Sequence, residues 1–518
     1  MTELIKNFLS KKTGIILIII FFVELASFLA YLYPSLNLYI FSVVFLGAVY
    51  LAYKNLKYLF FISLIELVIG SQGHLFSIEI FSFNLSIRIA LWSLMLAFFL
   101  FKLFSSLSLK KLTADKDVKI SLKNKLFYKF RYLSIFVLLM FLVSLGLVIG
   151  VLSDHSLSIV FSDFNAWLFL LWLFPLVYIF KKNPGEKIIY DTLNIFIIAS
   201  LYLVFKSLFF LFIFSHDFIP LMKLLYPWTR QNYLGEITAL QSNFYRIFFQ
   251  SHIYSLIALI LSFFAINNIK SFNWKVFKFK KNIYLLTFFV LNLSIIILSL
   301  SRSLWAGLSV FLFLFFLLNI KKWGIVSSLK RLFFLFFSLF LALIIIAFIV
   351  KIPISGQSGN FSAKDIFKER SSLEEDSGAI SSRWSLLSPL KQEIFKSPIF
   401  GLGFGQEITY NSQDPRVLEN NPSGKYTTYA FEWAWLDIWL KIGLLGLLVY
   451  LYLLYRLIRD SFQTEAYQPY MKALGLSLVA LAVVNIFTPY LNHPLGIGFL
   501  IISSIIIARS KNIIYDKN

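Results

Sequence analysis

The sequence has no cysteine among its 518 residues, which excludes disulfides, thiolate metal sites and cysteine nucleophiles together. Histidine is scarce too: five are scattered as His74, His155, His216, His252 and His493, so no histidine-rich metal centre is expected. Charged residues make up only 14% of the chain, and they lean to one sign, with 48 Lys and Arg against 26 Asp and Glu for a net charge of +22. A basic balance suits nucleic acid only where a basic face comes with aromatic or motif context. Here the basic residues sit in short loops between apolar runs, a placement that membrane topology and anionic headgroups explain better. Membrane lipids are therefore expected partners, and nucleic acid is not.

What the chain has in abundance is apolar sequence: 59% of residues are hydrophobic and the mean hydropathy is +0.78. Apolar segments of roughly 17–25 residues, each enough to span a bilayer, recur from end to end. Spans are expected near 14–33, 36–53, 56–70, 85–103, 133–152, 166–180, 189–215, 251–266, 283–301, 304–320, 332–350, 434–455, 472–490 and 494–508. The first follows Lys6, Lys11 and Lys12 like a signal peptide. It holds Glu24, has no small-residue cleavage site and runs straight into further spans, so it reads as retained. The expected fold class is an all-α polytopic bundle of about 14 transmembrane helices.

Basic residues gather at the N-terminus, at Lys54 and Lys57, through KKLTADKDVKISLKNKLFYKFR (110–131), at Lys181 and Lys182, and from Lys270 to Lys281. They recur at Lys321, Lys322, Lys330 and Arg331, at Arg456 and Arg459, and at Arg509 and Lys511. These loops alternate, so the positive-inside rule puts both termini in the cytoplasm. The opposite loops are SQGHLFSIEIFSFN, SDHSLSIVFSDF, a stretch from His216 to about Gln250, and a long one spanning 351–427. Two extended loops on an otherwise tightly looped protein are where function is expected. Arg302, in the apolar run IIILSLSRSLWAGLSVFLF, then falls at a turn between two helices on the outer face rather than at the bilayer centre.

Beyond SRSLWAG come SSRWSLLSPLKQEIFKSPIFGLGFGQ (381–406) and EWAWLDIWLKIGLLGLL. They give an arginine, an amphipathic helix, a Pro-x-x-Gly-x-Gly turn and the opening of the next span. This order resembles the O-antigen ligase and O-antigen polymerase superfamily of bacterial membrane glycosyltransferases, over roughly Asn243 to Leu448. The resemblance implies a lipid-dependent glycosyltransferase fold, with a partly helical extracytoplasmic loop closing over a membrane-level cavity. It also implies transfer of a glycan from an undecaprenyl-diphosphate donor to a glycan or lipid-glycan acceptor, on the outer face of the bacterial cytoplasmic (inner) membrane. The resemblance implies no metal, cofactor or nucleotide sugar. The family's arginine before its conserved spans looks like Arg246 in SNFYRIFFQSH, and that of its Ser-Arg turn is Arg302; both carry over as diphosphate ligands. The family's histidine, eleven residues before a Gly-x-x-Gly, is replaced here: counting back from Gly443 lands on Glu432. That departure favours a polymerase of surface polysaccharide repeats, which implies a chain-length regulator protein as a further partner, over a lipid A-core ligase.

The residues suit such chemistry. Breaking the bond between an anomeric carbon and a diphosphate develops negative charge, which fixed arginines can meet bidentately. An acceptor hydroxyl gains nucleophilicity from a base. Glu432 is expected to be that base, on a helix face shared with Trp435, Leu436 and Trp439 whose apolar surround raises its proton affinity. Arg383 is a third basic candidate for the substrate. Arg88, inside the fourth span, is a fourth: it would neutralise the donor or pair with Glu66 or Glu79. Ser388-Pro389 reads as a helix start, with Leu390, Ile394 and Phe395 forming a stripe for the membrane surface. Gly401, Gly403 and Gly405 read as a re-entry turn rather than a phosphate cradle. Asp437 and Lys441 read as a helix-surface pair, and His252 as structural. Trp384, Tyr426, Tyr429, Trp433 and Trp435 are placed to meet a glycan.

The resulting domain organisation is an N-terminal multi-span region (1–242) and a catalytic region (243–510), with the large loop 351–427 inside the latter. Two other enzymes share the scaffold: an O-antigen ligase and a protein O-oligosaccharyltransferase. The competing class is a lipid-linked glycan flippase. Transporters often show internal repeats with matching broken helices; no such repeat is visible, and the single large loop is asymmetric, which favours an enzyme working on one face.

Overall fold

The computed structural model describes residues 11–80, 83–112, 130–240, 244–267, 279–353, 377–464 and 468–515. In chain order the first elements are α1 (Lys11–Leu32), α2 (Pro34–Lys54), α3 (Leu56–Ile69), the hairpin β1 (Ser77–Ile80) and β2 (Phe83–Ser86), α4 (Ile87–Leu112), α5 (Leu133–Leu152) and α6 (Leu157–Phe164). A 3-10 stretch (Asn165–Trp172) leads into α7 (Leu173–Lys182), α8 (Lys187–Ser215), α9 (Ile219–Gln231), the hairpin β3 (Gly235–Ala239) and β4 (Tyr245–Phe249), α10 (His252–Asn267), α11 (Phe279–Ser299) and α12 (Arg302–Lys351). The remainder is α13 (Ser377–Lys396), β5 (Ile408–Asn411), α14 (Pro415–Asn420), β6 (Lys425–Thr428), α15 (Ala434–Gln463), α16 (Gln468–Val484) and α17 (Pro494–Tyr515).

The protein is an all-α polytopic membrane protein. The spans expected from hydropathy fall on helical segments: 304–320 and 332–350 both lie in α12, which is interrupted at Gly324 (φ 72°, ψ 171°), and 166–180 covers the 3-10 stretch with α7. Among the described residues nine helices are long and apolar enough to cross a membrane, the two parts of α12 counted separately. The short breaks follow local chemistry. Pro34 opens α2, where its missing N–H costs nothing, and the Asn55 side chain caps α3 by accepting from the Lys57 backbone N–H at 3.0 Å.

Four expectations change. SDHSLSIVFSDF, read as a loop, contains α6, and the stretch 216–250 is folded into α9 and the β3–β4 hairpin. α13 starts at Ser377 and carries Pro389 inside it, so Ser388-Pro389 is not the helix start. Its stripe is turned inward: Leu386, Leu390 and Ile394 are buried with Ile408, Phe431 and Leu440, while Phe395 remains 68% exposed. Burying each such side chain is worth about 1.5–3 kcal/mol, which outweighs a resting place at the membrane surface. Most of the basic stretch 110–131, most of 270–281 and residues 354–376 of the long loop lie outside the described residues.

The chain forms two compact units. One comprises Met1–Lys129, Leu171–Trp305 and Leu312–Phe361; the other comprises Phe130–Leu170, Ala306–Phe311 and Ser362–Asn518. In the first, α3 packs on α8, and Phe60 meets Trp172 and Phe180 with ring centroids 6.0 and 5.8 Å apart. In the second, α15 packs on α5 and is interrupted at Gly443 (φ 70°, ψ 177°). An interrupted helix leaves backbone groups unpaired, which an apolar interior does not tolerate. The turn at 398–404 supplies the partners: Leu402 N–H donates to Leu440 O at 2.7 Å, and Leu444 N–H donates to Pro398 O at 2.9 Å. The expected re-entry turn is therefore present, and it is stitched into the helix break. Gly403 (φ 84°) lies so close to α5 that a Cβ there would stand 2.6 Å from Gly150 Cα.

Candidate active site

In the first unit the chemistry gathers around the turn from α11 to α12. Leu300 there has φ 46°, and Ser301 N–H donates to Ser299 Oγ at 3.3 Å. Ser301 and Ser303 hydroxyls lie 3.1 Å apart, and Trp305 Nε1 donates back to Ile296 O at 3.0 Å. Arg302 is the first residue of α12 and is exposed. A helix N-terminus carries partial positive charge and unspent N–H groups, so this end of α12 with its arginine suits an anion.

Arg246 reaches the same turn from β4, where it is paired across the hairpin with Thr238. Its Nε donates to Ser299 O at 2.8 Å, its guanidinium lies 5.1 Å over the Phe248 ring, and Nη1 stands 3.9 Å from Glu236 Oε2. Sequence reasoning placed Arg246 ahead of a span; the structure puts it on a strand. Glu236 also lies 3.8 Å from Arg230. This acidic neighbour had no signal of its own in the sequence.

Beneath β4 lies a second polar layer that sequence reasoning missed. Phe249 N–H donates to His252 Nδ1 at 3.3 Å, which makes Nε2 the protonated nitrogen, donating to Ser207 Oγ at 2.9 Å. The Ser207 hydroxyl passes its own proton to Leu203 O at 2.8 Å, so the chain of donors is consistent. Next to Ser207, Lys206 is ion-paired with Glu24, both side chains buried, and its ammonium lies 4.7 Å from the Phe249 ring and 5.5 Å from that of Trp228. The available signal was a charge inside an apolar run, in LVFKSLFF and FFVELAS. His252 is structural, as expected.

Arg88 is placed differently from the other arginines. Only 4% exposed, it binds Glu66 bidentately (Nε to Oε2 2.9 Å, Nη2 to Oε1 3.0 Å) and donates through Nη1 to Ser71 O at 2.7 Å. Of the two roles weighed for it, the structure shows the pairing with Glu66. A buried bidentate pair is costly to open, so Arg88 does not stand ready for a substrate phosphate. Nearby, burial and the Arg88 charge hold His74 down at about 4.

The second unit contains Arg383 and Glu432, which meet as a bidentate ion pair: Nε bonds Oε2, and Nη2 lies 3.1 Å from Oε1. Glu432 precedes α15 rather than lying on it, and about half of its side chain is exposed (49%). The expected apolar surround from Trp435, Leu436 and Trp439 is therefore absent, since that reading took residue 432 as helical. Trp435 turns inward to donate to Ala482 O at 3.1 Å. The buried charges lie further along. Lys441 Nζ bonds Asp163 Oδ1 and Asp437 Oδ1 at 2.5 Å each and Tyr429 O at 3.1 Å, while Asn492 donates to Asp437 Oδ2 at 2.6 Å. Asp163 Oδ2 also accepts from Gly405 N–H at 3.0 Å. Asp437 and Lys441, expected on a helix surface, are thus a buried clamp that joins α6, the glycine turn and the segment leading to Glu432.

Residues 287–451 match the O-antigen ligase family. The stretch includes Arg302, the glycine turn, Arg383 and Glu432; Arg246 and Arg88 lie before it. The match covers part of the chain and supports a multi-pass membrane enzyme of the O-antigen ligase superfamily that transfers glycans, with lipid-linked glycans as the substrates that such a family implies. No curated protein matches the chain.

Proposed function

We propose that the protein transfers a glycan from an undecaprenyl-diphosphate donor to a sugar acceptor at the outer face of the bacterial cytoplasmic membrane, polymerising surface polysaccharide repeats without a metal ion. Its catalytic region is residues 243–510. The observation that carries this reading is the α11–α12 turn: Arg302 is the first residue of α12, and Arg246 grips the turn through Ser299. Both arginines bind the diphosphate there. As the anomeric C–O bond breaks, its electron pair goes to the diphosphate oxygen, whose new charge the two guanidiniums and the helix end neutralise. The acceptor oxygen bonds to the anomeric carbon and gives its proton to a base, the role proposed for Glu432, which Arg383 holds by a bidentate ion pair.

The test is transfer in nanodiscs with EDTA present, using purified protein and undecaprenyl-diphosphate glycan from the source organism. Lengthening of the lipid-linked glycan, lost in Arg302→Ala, supports the proposal. Transfer only to a lipid A-core or protein acceptor would make the enzyme a ligase or an oligosaccharyltransferase. Movement of the lipid-linked glycan across liposomes without transfer would make it a flippase.

A further inference from the structure

The second unit also presents an aromatic corner beside the Arg383–Glu432 pair. Trp384 is 59% exposed, the only exposed tryptophan among the described residues. Its ring meets that of Trp433 edge to face, with centroids 5.3 Å apart and planes at 64°, and Trp433 in turn lies 5.8 Å from Phe487. The corner is fixed from behind: Trp433 Nε1 donates to Arg383 O at 2.8 Å, and Trp433 packs against the buried cluster of α13, β5 and α15. The chain beside these rings is polar: Ser381 donates to Gln413, Ser382 is bonded to Ser412, and Arg383 and Glu432, which immediately precede Trp384 and Trp433, form a half-exposed ion pair.

An exposed tryptophan beside a planar ion pair suits a ligand with one apolar C–H face and a girdle of hydroxyls, which describes a pyranose ring. The carboxylate oxygens have lone pairs to accept from hydroxyls. We propose that Trp384, Trp433 and the Arg383–Glu432 pair form a saccharide-binding platform that seats a sugar ring of the acceptor. That the sugar is the acceptor rests on the function proposed above; that the corner binds a saccharide does not.

The experiment uses the full chain in nanodiscs, with the lipid-free oligosaccharide released by mild acid from the source organism's lipid-linked glycan as the probe. Binding is followed by saturation-transfer NMR, and transfer by acceptor KM and kcat. Trp384→Ala should weaken probe binding at least tenfold and raise the acceptor KM by a similar factor with kcat little changed, while Trp384→Tyr, which restores an aromatic face, recovers most of both. Unchanged probe binding in Trp384→Ala would overturn the proposal, as would absence of binding to the native protein at millimolar probe. Unaltered binding with loosened association to lipid would overturn it in favour of a membrane anchor. Probe binding that depends on Trp384, in a protein that performs no transfer, would uphold the platform and sink the proposed function.

Discussion

The Lys206–Glu24 pair offers a sharp test of how the first unit holds its arginine. Both side chains are nearly sealed from solvent, at 3% and 7% exposure. Lys206→Met keeps the length of the chain and removes the ammonium, leaving the Glu24 carboxylate buried without its counter-ion. Losing one partner of such a pair costs about 3–5 kcal/mol, or a fall in Tm of roughly 5–15 °C. The double variant Lys206→Met/Glu24→Gln removes both charges, so no orphan remains and stability should return to within about 1 kcal/mol of the native protein. Because Lys206 underlies the Phe249 ring and Ser207 holds His252, β4 and Arg246 should loosen in the single variant. Transfer activity should drop there and recover in the double. Thermal unfolding followed by tryptophan fluorescence, with transfer assayed below each Tm, reads both. A single variant as stable and active as the double would refute the coupling.

Three further outcomes follow. Arg302→Ala should reduce kcat/KM about 10–150-fold, the loss of a charge-assisted phosphate contact of about 1.5–3 kcal/mol, with Arg302→Lys falling between since an ammonium cannot bind bidentately. Gly403→Ala should cost about 2–5 kcal/mol in thermal unfolding, because φ there is positive and the new Cβ would meet the α5 backbone. His74 sits at about 4, against 6.5 unperturbed. The unfolded chain therefore takes up a proton that the folded protein refuses, and stability should fall as pH drops from about 6.5 to 4 by up to about 3 kcal/mol, with no loss above. His74→Gln should flatten that decline in a Tm-versus-pH series.

Most of the helical framework was legible because apolar length is a one-dimensional signal, and hydropathy located the helices from α1 to α17 that cross or line the membrane. The glycine turn was legible as a turn, since three glycines in five residues permit positive φ, but its fit into the Gly443 break depends on which backbone groups that break leaves unpaired. The folded stretch 216–250 was missed because IPLMKLLYPWTRQ and the following hairpin are too short and too polar to register as spans. Glu432 was misread by its helical face, since the start of α15 at Ala434 turns on backbone geometry that periodicity does not resolve within two residues. Asp163 was invisible: nothing in SDFNAW announces a partner at Lys441, far along the chain.

A charge within an apolar run turns out to carry two meanings in this protein, and burial separates them. Glu24, Glu66, Arg88, Lys206, Asp437 and Lys441 all interrupt apolar sequence, and each is buried against an opposite charge within its own unit. Arg302 interrupts apolar sequence just as abruptly, yet it opens a helix and is exposed. Desolvation explains the division. A charge inside the bundle survives only when a counter-ion offsets several kcal/mol of lost hydration, and that pairing removes it from substrate chemistry. An exposed charge at a helix start can meet a phosphate. Intramembrane position alone therefore singles out Arg88 and Lys206 as readily as Arg302, whereas exposure at a helix end is what makes Arg302 the arginine proposed for a lipid diphosphate.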